Sequence, residues 1–120
     1  MGLDNFAMDY WNKEPLDSIH FELSRDRKSL CSGMCSTDSN AIRGKVYNDL
    51  VEYASTISLY TEIISTEQVE TIIEGLKELN FESFVSDTGN PYQNDKEDVT
   101  HLIHWFTVVK EQNGIVTSWY

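Results

Sequence analysis

Apolar residues recur along the chain in two distinct rhythms, and these divide it into predicted strands and helices. From Asp17 to Ser24, Ile19, Phe21 and Leu23 alternate with His20 and Glu22, the two-residue period of a strand with one buried face. Between about Asn40 and Ala54 the steps lengthen to three and four: Ile42, Val46, Tyr47, Leu50, Val51 and Ala54 predict a first helix, with Ser39 or Asn40 placed to accept from its free amides. Ser65 with Gln68 three residues on reads as a capping box, and Val69, Ile72, Ile73, Leu76 and Leu79 form the apolar stripe of a second helix. Gly75 interrupts that helix at a cost of about 1 kcal/mol relative to alanine, which predicts close approach of another element there. Asp95 opens a third helix carrying Val99, Leu102, Ile103, Phe106 and Val109, stopped at Asn113 and Gly114.

The remaining segments show weaker periodicity. Arg25 to Asn40 is rich in Ser, Asp and Gly and reads as a loop, with a short second strand around Leu30 and Cys31. Ile57 to Ile64 predicts a short strand or an extended connection, and Ile115 to Trp119 a final strand. Asn80 to Lys96 holds the turn formers Asp87, Thr88, Gly89, Asn90 and Pro91 and reads as an irregular excursion. Helices separated by short strands without regular alternation predict an α+β fold, about three helices on a small, mostly antiparallel sheet. At 120 residues the chain is sized for one such domain over residues 1–120.

Charge changes this picture more than composition does. Twenty acids stand against nine bases, a formal net charge of −11. Residues 1–45 hold seven acids and six bases, whereas residues 46–120 hold thirteen acids and only three bases. Such a field repels nucleic acid and anionic lipid, whose binding relies on Lys and Arg displacing counterions from phosphates. The expected partner is a basic surface of another protein, with no direct nucleic-acid contact and no membrane contact. No apolar run approaches the roughly 20 residues of a bilayer span. Asp4 and Asp9 stand where a secretory signal carries bases, and the two cysteines are too few for a disulfide scaffold, so a cytoplasmic location is expected.

Chemistry-bearing motifs are sparse. Cys31, Cys35, His101 and His104 could supply four zinc donors, but Cys-x₃-Cys and His-x₂-His lie at or outside the usual spacings. The plain reading is a buried or loop thiol pair and two partially buried or rim histidines, with no metal and no cofactor. Arg43-Gly44-Lys45 has too few glycines for a phosphate cradle, and no catalytic motif occurs. No catalytic residue is therefore assigned. The rival reading is a small enzyme or a ligand- or metal-binding protein in which Cys31, Cys35, Arg43 and a histidine converge. Trp105, Trp119 and Tyr120 either complete a core or, if exposed, offer a binding hot spot.

The strongest functional signal is the spacing of Glu67, Glu70, Glu74 and Glu78, with Glu82 just beyond. Three- and four-residue steps set helical side chains about 5–6 Å apart on one face, a spacing suited to imitating a row of phosphates. The plain alternative is a solvated helix face rich in a good helix former. The functional expectation is a non-enzymatic acidic interaction protein, in concrete form a phage-encoded inhibitor or nucleic-acid mimic that docks these five glutamates on a host protein.

Met1-Gly2-Leu3-Asp4, Leu30-Cys31-Ser32-Gly33-Met34, Arg43-Gly44-Lys45-Val46-Tyr47 and Ser58-Leu59-Tyr60 also carry a resemblance. Together they resemble a set of short uncharacterised bacterial and phage proteins that open Met-Gly-Leu-Asp and carry an Arg-Gly-Lys-Val-Tyr helix. The chain departs from that pattern at Ser32, where a second glycine is expected. The resemblance implies a shape; it transfers no activity and no site.

Overall fold

A computed structural model describes residues 3–11, 14–16 and 41–119. Within them the fold is α+β, as expected, with four helices and a four-stranded antiparallel sheet. In chain order these are β1 (Asp4–Asp9), β2 (Ala41–Ile42), α1 (Gly44–Ser55), β3 (Ile63–Ile64), α2 (Thr66–Glu78), α3 (Phe81–Thr88), α4 (Lys96–Glu111) and β4 (Gly114–Trp119). The strand expected at Asp17–Ser24, the loop Arg25–Asn40 and its short strand at Leu30–Cys31 lie outside the described residues.

The sheet has the order β2-β1-β4-β3. β1 and β4 form its centre and pair along their whole length, from Asp4 opposite Trp119 to Asp9 opposite Gly114. β2 pairs with β1 through Asn5 and Phe6, while β3 pairs with β4 through Thr117 and Val116. Because side chains alternate across a strand, Ala7, Ile42, Ile64 and Val116 turn to one face. All four belong to the core shared with the helices. Phe6, Ile63, Thr117 and Trp119 occupy the other face, where Trp119 is 73% exposed and its ring lies 6.4 Å from that of Phe6.

β1 is not evident in the hydrophobic pattern because its inward positions are Asn5 and Ala7. Asn5 is fully buried, and its Nδ2 donates to the Leu59 carbonyl at 2.9 Å, tying the central strand to the segment that leads into β3. That bond offsets part of the cost of burying a polar group in the core, while Asn5 Oδ1 is buried without a hydrogen-bond partner among the described residues.

α1 begins four residues later than its periodicity suggests. Ile42 fits the helical spacing but pairs in β2, and Arg43, not Ser39 or Asn40, is the residue before the first turn. α2 and α4 follow the sequence closely. Each carries a complete capping box, Ser65 with Gln68 and Asp95 with Asp98. Asn113 takes the left-handed stop after α4 at φ 54°, while Gly114 already belongs to β4.

The segment Asn80–Lys96, expected to be irregular, contains α3. Asn80 Oδ1 accepts from the Ser83 amide at 3.0 Å, and Gly89 ends the helix at φ 77°. Eight residues, of which only Phe84 is buried, are too few to show a helical period. The turn formers from Gly89 onward are its exit; the Asn90 side chain donates to the Asn94 carbonyl and accepts from the Asn94 amide, and Asn94 Nδ2 donates to the Val46 carbonyl on α1.

α2 lies between α1 and α4 and packs against both. The expectation at Gly75 is met there: a Cβ on this residue would fall on the Ala54 carbonyl oxygen and stand 3.1 Å from Ser55 Cα. No described helix is long and apolar enough to cross a membrane.

Candidate functional site

The capping box fixes the start of α2 and with it the rotational setting of every later residue. The Gln68 amide donates to Ser65 Oγ at 3.2 Å, and the Ser65 amide donates to Gln68 Oε1 at 3.0 Å. Val69, Ile72, Ile73 and Leu76 are then buried against the core. At 3.6 residues per turn, Glu67, Glu70, Glu74 and Glu78 fall within an arc of about 80° on the opposite side, and all four are exposed. Glu82 is also exposed, but it belongs to the first turn of α3, past the reversal at Leu79 and Asn80. The structure thus gathers four of the five predicted carboxylates on one helix and places the fifth on the next.

One of these charges is partly offset. Lys110 Nζ on α4 lies 3.2 Å from Glu70 Oε1, with both side chains about half exposed. A pair of this kind contributes about 0–1 kcal/mol.

Beyond Glu78, the end of α2, the start of α3 and the start of α4 enclose an open groove of about 580 Å³. Leu76, Leu79, Phe81, Val99 and Ile103 line it with apolar surface. Lys77, Lys96 and Glu82 supply its charged lining. Sequence periodicity hides this feature because its lining comes from three elements.

Of the other candidates the structure places His101, His104, Arg43, Trp105 and Trp119. His101 is 1% exposed on α4 with Nε2 3.4 Å from Glu97 Oε1, an ion pair only when the imidazole is protonated; His104 is half-buried one turn on. Arg43 precedes α1. Cys31, Cys35 and Tyr120 lie outside the described residues. Among the described residues no group of three or more His, Cys, Asp and Glu side chains could hold a metal ion. Trp105 is a core residue, whereas Trp119 is exposed on the sheet face turned away from the helices and from the glutamate row.

A pair absent from the sequence reading links α1 to α3: Tyr53 Oη donates to Asp87 Oδ2 at 2.6 Å. The hydrogen bond to Asp87, with smaller contributions from desolvation and from the carboxylate's charge, raises the Tyr53 pKa above 10.0. A raised tyrosine pKa favours the neutral phenol in the folded state, so this contact stabilises the fold fully below pH 10 and is lost as pH climbs through the raised value. Ultraviolet titration of Asp87→Ala should show one tyrosine ionising at lower pH than in the parent. An unchanged titration would mean that the contact does not form in solution.

No protein family, curated protein or solved structure matches this chain.

Proposed function

We propose that this protein is a non-enzymatic interaction module that docks Glu67, Glu70, Glu74, Glu78 and Glu82 on a basic surface of another protein. Its concrete form is an inhibitor that imitates a phosphate row, of the kind a phage would direct at a nucleic-acid-handling enzyme of its host. The observation that carries the reading is the exposed four-carboxylate arc on α2, set opposite the buried stripe and offset among the described residues by one ion pair, from Lys110. Like charges at three- and four-residue steps weaken a helix by a few tenths of a kcal/mol each. The arrangement therefore costs intrinsic helix stability, which packing against α1 and α4 offsets.

Complementary charge accelerates encounter and makes binding salt-dependent. Pull-down from host lysate should recover a basic partner at low salt and lose it at high salt. Glu70→Lys combined with Glu74→Lys should abolish that recovery while leaving the circular dichroism spectrum unchanged. Recovery indifferent to both salt and charge reversal would remove the reading.

A further inference from the structure

The thirteen acids of residues 46–120 share that stretch with three lysines, and two of the three meet at the groove between α2, α3 and α4. Lys110 has Glu70 as its partner. Lys77 and Lys96 have no carboxylate within ion-pair distance among the described residues, although glutamates are their sequence neighbours. Lys96 is moreover the first residue of α4, the helix end at which the macrodipole disfavours a cation. Two unpaired ammonium groups thus border an apolar lining on a molecule that is otherwise strongly negative.

We propose that this groove binds an amphipathic monoanion, with an apolar chain lying on Leu76, Leu79, Phe81, Val99 and Ile103 and a carboxylate head beside Lys77 and Lys96. Each part of the chemistry follows from the lining. A neutral apolar ligand leaves both cations unmatched, and a cationic amphiphile is repelled by them. A polyanion brings further charges into a groove that Glu82 also lines, whereas a single carboxylate carries only the one charge that the lysines attract. The volume of about 580 Å³ falls within the range of small-molecule sites. Its openness lets the head remain hydrated while the chain leaves water. The groove shares Glu82 with the proposed docking face, but its apolar lining and its two lysines take no part in that face, so either reading can fail without the other.

The test is an amide NMR titration of the full chain with sodium decanoate, decyltrimethylammonium and acetate, all below micelle formation. Decanoate should give saturable shifts confined to the end of α2, the start of α3 and the first turns of α4, and acetate should give none. Decyltrimethylammonium should bind at least tenfold more weakly. Lys77→Glu with Lys96→Glu should weaken decanoate roughly tenfold or more, the factor that corresponds to about 1.4 kcal/mol, and Glu82→Gln should strengthen it. If the double reversal fails to fold, Lys77→Gln with Lys96→Gln gives the same reading with a smaller loss. Equal affinity for the two head groups, shifts centred elsewhere, or no saturable binding would each overturn the proposal.

Discussion

Phe106→Ala should lower the free energy of unfolding by about 3–5 kcal/mol, the range for truncating a large aromatic in a packed core. Phe106 is fully buried on α4, and its ring meets Trp105 edge-on, with centroids 5.0 Å apart and planes at 86°. An edge-to-face pair adds about 0.5–1.5 kcal/mol beyond the area it buries, so the cavity also removes a directional contact. Since domains of this size are stable by only about 5–15 kcal/mol, the variant should populate unfolded chain at moderate temperature. Urea denaturation followed by tryptophan fluorescence measures the loss directly. Trp119→Ala, made at an exposed position, should cost less than about 1 kcal/mol. A comparable loss for the two variants would mean that the core is not centred on α4.

Gly75→Ala should destabilise the protein by about 1–3 kcal/mol, the usual cost of overpacking, although the same change in an isolated helix would stabilise it by about 1 kcal/mol. The sign reverses because the added methyl meets backbone. It would lie on the Ala54 carbonyl oxygen, 2.9 Å from its carbon and 3.1 Å from Ser55 Cα. A side chain could rotate away, but the last turn of α1 cannot, since Thr56 already ends it in the left-handed region at φ 65°. Relief requires α1 and α2 to separate, loosening the contacts that Val51 and Leu76 make with the core. Thermal unfolding should show the midpoint falling, with Gly75→Leu falling further. A rise in midpoint for Gly75→Ala would place the two helices farther apart than described here.

The legibility of this fold follows the strength of each local signal. α2 and α4 could be read closely because a capping box and a long apolar stripe agree in each. Gly75 could be read as a contact point because it breaks an otherwise consistent helix. β1 was hidden by the buried amide of Asn5, whose place inside the protein depends on the distant Leu59 carbonyl. α3 was hidden by its brevity and by the turn residues that follow it. At the candidate site, the exposure of Glu67, Glu70, Glu74 and Glu78 could be anticipated from helical spacing alone. The position of Glu82 could not, because it depends on the reversal between α2 and α3. The convergence of Lys77 with Lys96 needs the same reversal and the return of α4, which no single window of sequence contains.

The pairing of β1 with β4 sets a timetable for a chain emerging from the ribosome. Asp9 is made roughly 100 residues before Gly114, and at about 5–20 residues per second the interval is on the order of 5–20 s. Throughout that wait one long edge of β1 has no native partner to mask its amides and carbonyls, and such an edge invites foreign strands. Only when Gly114–Trp119 arrives is that edge closed by this chain's own backbone. The sheet is therefore complete only once Gly114–Trp119 has been made, and a nascent chain stalled before Gly114 should be a target for chaperones and for aggregation.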